Sequence, residues 1–179
     1  MTPYQKHRQR WKDCTRCPLC ERRNCVVLAR GRIPCQVLLV GEAPGESEDV
    51  IGQPFVGPAG HLLDRIVAEA VPEGITTCFT NVVACIPRGV DGGKAGEPPE
   101  DALRACAPRL LEIIAVCRPR LIVRVGKLAD QWVPATDGME QVSIVHPAFI
   151  LRADVSQQGL LVQRCVVTIE DAVADLDLG

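Results

Sequence analysis

Four short apolar runs govern what this chain can fold into: residues 36–40, 78–83, 121–125 and 142–145. Each is rich in Val, Ile or Leu and bounded by Gly, Pro or Asn, the pattern of strands buried on both faces. Between them lie stretches of helical spacing, 59–70, 100–117 and 127–133, in which Leu62, Leu63, Ile66 and Val67, and then Leu110, Ile113 and Ile114, mark buried stripes. Strands alternating with helices predict an α/β fold with a parallel sheet covered on both faces. A chain of 179 residues supports one full core, so one domain over 1–179 is expected. Residues 87–99, with four glycines and three prolines, read as a long loop, and 169–176 read as an acidic helix.

In an open parallel sheet, ligands bind beyond the carboxyl ends of the strands. That rule gathers four segments at one crevice: the glycine-rich stretch 41–60, residues 81–85, Gly126 and His146-Pro147-Ala148. The first of these opens like a phosphate cradle, yet Glu42, Glu46, Glu48 and Asp49 crowd it. Carboxylates repel an anion, so a phosphate is the wrong occupant.

Charge is unevenly placed. Residues 1–35 carry nine Lys/Arg against two acids, whereas the rest of the chain carries 11 bases against 20 acids. A basic segment on an acidic body suits a polyanion such as nucleic acid, and equally suits a solvated arm. The N-terminus is polar and basic and no apolar run is long enough to span a bilayer, so no membrane partner and a cytoplasmic location are expected.

Ten cysteines in a reducing compartment point to metal or chemistry rather than disulfides. Cys14 and Cys17 form a two-residue-spaced pair, Cys85 ends the second apolar run, and Cys106 lies on the following helix. Together they supply four thiolates, enough for an iron–sulfur cluster or a closed zinc site. Cys20 and Cys25 extend the first pair into a local set, C-x2-C-x2-C-x4-C, as an alternative. Cys35, Cys78, Cys117 and Cys165 sit in apolar surroundings and read as small buried hydrophobes.

The order GEAPGESED, PFVGPAG, TNVVAC and VHPA, with CTRC in front and a cysteine after the long loop, resembles the family 4 uracil-DNA glycosylases, the iron–sulfur members of the uracil-DNA glycosylase superfamily. The resemblance runs from about residue 14 to residue 152. It implies a three-layer α/β/α fold with a four-stranded parallel central sheet, and a 4Fe-4S cluster on Cys14, Cys17, Cys85 and Cys106, two of them from the basic segment 1–35. It implies a monomer that extrudes uracil from single- or double-stranded DNA, hydrolyses its N-glycosidic bond and leaves an abasic site for base excision repair.

The resemblance also assigns roles. Phe55 stacks on the extruded ring, with a core phenylalanine as the plainer reading. Asn81 reads the pyrimidine edge, its amide offering one acceptor and one donor that cytosine would mismatch; otherwise it caps a strand end. His146 donates to O2 of the departing base. Glu48, and after it Glu42, position water or stabilise the sugar cation. Glu42, Ala43 and Gly45 face the base, while Glu46 and Asp49 are surface carboxylates in the plainer reading. Phe149, Leu151 and Arg152 form a wedge and phosphate contact, or merely a helix start.

Several positions depart from the family pattern. Ala43 stands where better-known glycosylases place a water-orienting aspartate, Pro58 where the family commonly has a base, and Gly45 where other branches carry a thymine-excluding aromatic. The alternatives are therefore an enzyme acting on another modified pyrimidine and a non-catalytic iron–sulfur module that binds nucleic acid.

Overall fold

The computed structural model describes residues 1–89, 93, 95–136 and 138–176. Helix α1 (Pro3–Trp11) is followed by β1 (Arg30–Gly31), β2 (Val37–Gly41), α2 (Glu46–Ile51), α3 (Pro58–Ala70), β3 (Thr77–Asn81), α4 (Glu100–Cys117), β4 (Leu121–Val125), α5 (Lys127–Trp132), β5 (Glu140–Ile144), α6 (Pro147–Arg152) and α7 (Val155–Ala174). The sheet runs β1-β3-β2-β4-β5. Its four long strands are parallel, as expected, with Leu39 opposite both Phe79 and Val123. The expected four-strand count needs one correction, because the two-residue β1 adds an antiparallel edge beside β3.

Alternate residues of each strand face opposite layers. Val37, Leu39, Phe79, Leu121 and Val123 pack with Leu63 and Ile66 of α3, Ile150 of α6 and Ile169 of α7. Leu38, Val40, Cys78 and Ile122 pack with Leu110, Ile113 and Ile114 of α4 and Leu128 of α5. The result is the expected three-layer arrangement, helices on both faces of the sheet.

Two segments differ from their sequence reading. The basic arm contains α1, capped by Thr2 and docked on α4, where Glu112 accepts from Trp11 Nε1 at 2.9 Å and from Arg10 at 3.0 Å. The final helix begins at Val155, well before the acidic pattern at 169–176, because its first half buries little and so lacks an apolar stripe. In the loop 87–99 a bridge joins Arg88 to Ala95, while residues 90–92 and 94 lie outside the described set. No helix among the described residues is long and apolar enough to cross a membrane.

Candidate active site

The parallel strands deliver four backbone ends to one edge of the sheet: Asn81 closing β3, Gly41 closing β2, Gly126 after β4 and His146 after β5. Two of these ends require glycine. A Cβ on Gly41 would meet the Phe55 ring at 2.4 Å and Asn81 Oδ1 at 2.6 Å. Gly126 has φ +91 and would press on His146 Cβ at 2.9 Å. Both leave room for neighbouring side chains, Phe55 and Asn81 at Gly41 and His146 at Gly126.

A cleft of about 840 Å³ opens along this edge and is lined by Glu42, Ala43, Gly45, His146, Phe149 and Arg152 among others. That size suits a small-molecule-scale ligand. Six of the sequence-named residues therefore share its wall. Asn81 and Phe55 do not: they are 2% and 6% exposed and close over Gly41 beside the cleft rather than on it. Phe55 packs on Phe79, ring centroids 6.0 Å apart, so the core-phenylalanine reading describes its packing here. The Asn81 amide has no hydrogen-bond partner among the described residues, although its backbone carbonyl does.

Phe55 stands at φ 58, a strained value for a non-glycine residue that costs about 1–3 kcal/mol and must be held by its surroundings. The holding groups are visible. Arg30 donates to the Pro54 carbonyl at 2.9 Å and the Phe55 carbonyl at 3.2 Å, while pairing with Asp64 at 2.8 Å. From the other side, Glu48 Oε1 accepts from Val56 N at 2.9 Å and Gly57 N at 2.7 Å, and its Oε2 accepts from Gly45 N at 3.1 Å. Glu48, expected at the reacting sugar, thus spends three of about four acceptor sites on the loop backbone. It ties the two halves of the glycine-rich stretch together.

Glu42 is half-buried on the cleft wall, and burial followed by the charge of Glu97 raises its pKa above the ordinary carboxylate value. His146 caps α6, its Nδ1 accepting from Ala148 N at 3.1 Å. That bond assigns the ring hydrogen to Nε2, leaving Nε2–H as the free donor. Burial, then the Arg152 guanidinium, lowers its pKa below 6.5, so the ring is neutral at neutral pH. Beyond it, Phe149 is 54% and Leu151 45% exposed, apolar groups on an open rim with the exposed Arg152 between cleft and solvent.

The two carboxylates read as idle are neither. Asp49 is fully buried and accepts from Asn24 N at 3.0 Å, Asn24 Nδ2 at 2.8 Å and Cys25 N at 3.4 Å, with Arg88 at 3.3 Å. Glu46 pairs with the same Arg88. Asp49 thereby fastens the cysteine-bearing segment to α2. Sequence reasoning missed it because an aspartate in an acidic helix has the pattern of a solvated face.

Cys14, Cys17, Cys85 and Cys106 line one narrow cavity with Arg16, Arg23 and Arg109. Arg23 Nη1 lies 3.5 Å from Cys85 Sγ, and burial pushes the Cys85 thiol up to about 12. A thiol so placed ionises when a bound cation takes the proton's place. The local alternative fails on Cys25, whose thiol donates to the Asp49 carbonyl at 3.0 Å and lines a separate hollow with Arg8 and Lys12. Cys35, Cys78, Cys117 and Cys165 are buried, as expected. The first three bring their sulfurs within 4.8 Å of one another in the core under α4, the one such group of ligand side chains among the described residues.

Comparison with known proteins agrees with this geometry. The family model described as "Uracil DNA glycosylase superfamily" matches residues 29–166. A type-4 uracil-DNA glycosylase of Thermotoga maritima is 32% identical over 160 residues, covering 80% of this chain and 81% of the relative. Relatives of the same name from Pyrobaculum aerophilum and Saccharolobus solfataricus are 36% and 34% identical over 70% and 74% of this chain. The match spans 61% and 60% of the length of those two.

Proposed function

Because the chain belongs to the uracil DNA glycosylase superfamily, we propose that it hydrolyses the N-glycosidic bond of uracil in DNA and leaves an abasic site. The observation that carries the reading is the neutral His146, its Nδ1 occupied and its Nε2–H free at the cleft. A neutral donor is what an N-glycosidic bond needs as electrons move into the departing base, and one such preorganised donor is worth about 3 kcal/mol of barrier.

Asn81 supplies the pyrimidine edge contact. It and His146 end strands three steps apart in the sheet, roughly 14 Å at the backbone, a span that two side chains and one flat ring fill. Entry of the base takes the space over Gly41 between the Asn81 amide and Phe55, and stacks the ring beside Phe55. Glu42, with its carboxylate on the cleft wall, holds the attacking water and faces the sugar as positive charge grows there. Glu48 acts as a positioning residue for the loop. Phe149 and Leu151 fill the gap left by the flipped nucleotide, and Arg152 meets a flanking phosphate. Of the four acids in the glycine-rich stretch only Glu42 faces the sugar; Glu48, Asp49 and Glu46 hold the loop, the cysteine-bearing segment and Arg88.

Cys14, Cys17, Cys85 and Cys106 are the residues that would hold a 4Fe-4S cluster. Such a cluster supplies four strong crosslinks between the N-terminal segment, the end of β3 and α4, with one-electron chemistry available in addition. Iron and sulfide analysis with visible absorption tests it, and Cys106→Ser is expected to lose the signal. A single DNA-acting domain working as a monomer is the simplest arrangement consistent with the one sheet. Incubation with a uracil-containing strand followed by alkali tests the activity. Strand scission by the wild type but not by His146→Ala or Asn81→Ala is expected, and scission that persists in both variants overturns the assignment.

A further inference from the structure

Arg109 is 1% exposed, in the middle of α4. Its guanidinium donates to Thr80 Oγ1 at 3.0 Å, to the Val82 carbonyl at 2.8 Å and to the Asn81 carbonyl, and its Nε has no partner. No carboxylate among the described residues lies within ion-pair distance of it. The neighbouring His7 is equally buried and has its pKa lowered by burial and then by Arg109's charge, so it offers no compensation. A buried cation without an anion is a large unfavourable term. Something negative belongs beside it.

The cavity that Arg109 lines is that of Cys14, Cys17, Cys85 and Cys106. Arg16 is exposed and Arg23 half-buried, so water screens both, whereas Arg109 is sealed in. Four thiolates outweigh the positive charge of an iron–sulfur core, so the bound cluster is an anion. Arg109 follows Cys106 by one helical turn, and the groups it grips, the Thr80 hydroxyl and the Asn81 and Val82 carbonyls, lead toward Cys85. Arg109 therefore lines the cluster cavity while its guanidinium holds the end of β3, which presents Asn81.

Resting on the cluster reading above, we propose that Arg109 is the internal counter-cation of the thiolate-bound cluster and the link through which the cluster fixes the position of Asn81. Two properties follow. The cation stabilises the reduced, more negative cluster and so raises its reduction potential. Its three oxygen contacts set the strand end from which the base-reading amide projects, which makes it a positioning residue.

The test compares wild type, Arg109→Lys and Arg109→Met as purified holoproteins. In the Met variant the potential, measured by spectroelectrochemistry, is expected to move to a more negative value, and the cluster is expected to be lost faster to a chelator. The Lys variant keeps the charge and hence the wild-type potential. It cannot span three oxygens, so its kcat/KM on uracil DNA falls about tenfold, roughly what one charge-assisted hydrogen bond is worth. A Met variant with wild-type potential and cluster lifetime overturns the proposal. Should that variant fail to fold, the Lys variant decides: a shifted potential or an unchanged kcat/KM overturns it. A wild-type chain that carries no cluster at all refutes the cofactor reading instead, and is recognised before any variant is compared.

Discussion

Glu48→Gln separates a loop clamp from a reacting carboxylate. In the wild type, Oε1 accepts from Val56 N and Gly57 N while Oε2 accepts from Gly45 N. Glutamine keeps one oxygen, enough for the Val56 and Gly57 pair, but turns an NH2 toward the Gly45 amide, so one charge-assisted bond is lost and two donors face each other. Hydrogen bonds to a charged group contribute about 1.5–3 kcal/mol. With a urea m-value of about 1–3 kcal/mol per molar, the unfolding midpoint is expected to drop by on the order of 1 M. Excision of uracil falls with it, because the 45–57 loop carries Phe55 and borders the cleft, and Glu48→Ala, which removes all three acceptors, falls further on both measures. Urea denaturation run beside single-turnover excision checks this. A Gln variant with wild-type stability and abolished chemistry would show that the carboxylate acts on the substrate, and would refute the clamp.

The remaining expectations concern pH, a buried anchor and the rim. His146 has a lowered pKa, caused by burial and then Arg152. Protonation would place a hydrogen on Nδ1 facing the Ala148 N–H, so kcat/KM stays flat from neutrality down to pH 6.5 and declines only below it. Arg152→Ala shifts that acid limb upward, and a limb centred at or above pH 7 in the wild type contradicts the neutral-donor mechanism. The stability sign agrees: the unfolded chain takes up the proton first, so the contribution of neutral His146 is complete above pH 6.5 and is lost as pH falls below it. Asp49→Ala strips Asn24, Cys25 and Arg88 of a buried acceptor and is expected to cost about 3–5 kcal/mol by urea denaturation, with a loss under 1 kcal/mol showing the anchor to be dispensable. Phe149→Ala and Leu151→Ala, both at exposed positions, leave stability within about 0.5 kcal/mol. They reduce excision from duplex more than from single-stranded DNA, and equal effects on both would remove the wedge.

The sheet was legible because each parallel strand contains a short apolar run between helical stretches, although β3 (Thr77–Asn81) and β5 (Glu140–Ile144) start earlier than the runs 78–83 and 142–145, on polar residues that carry no strand signal. Helix α4 was read with its observed limits, and α3 and α5 to within a residue. The edge strand β1 was not, since two residues carry no periodicity. Short α2 and α6 were hidden for the same reason: six residues complete too few turns to show a stripe. Of the four segments the crevice rule gathered, 41–60, Gly126 and 146–148 contribute to the cleft wall, while Asn81 lies buried beside it. What stayed hidden was buried charge. Asp49, Glu48 and Arg109 look in sequence like solvated side chains, and only the backbone groups they meet reveal their duty. For Arg109 a signal existed: Ala102, Cys106, Arg109, Ile113 and Cys117 fall on one helical face, so an arginine there sits within the buried stripe. Cys25 is the converse case, a cysteine at plausible ligand spacing that the fold turns toward the Asp49 carbonyl.

Release of free uracil from a uracil-containing oligonucleotide, followed by chromatography under single-turnover conditions, tests the central claim most directly. The account predicts one equivalent of free base and one alkali-labile site per uracil, both suppressed by about two orders of magnitude in His146→Ala, the effect of losing one preorganised donor. An intact glycosidic bond after incubation with the cluster-loaded wild type, or release that is indifferent to His146, contradicts it.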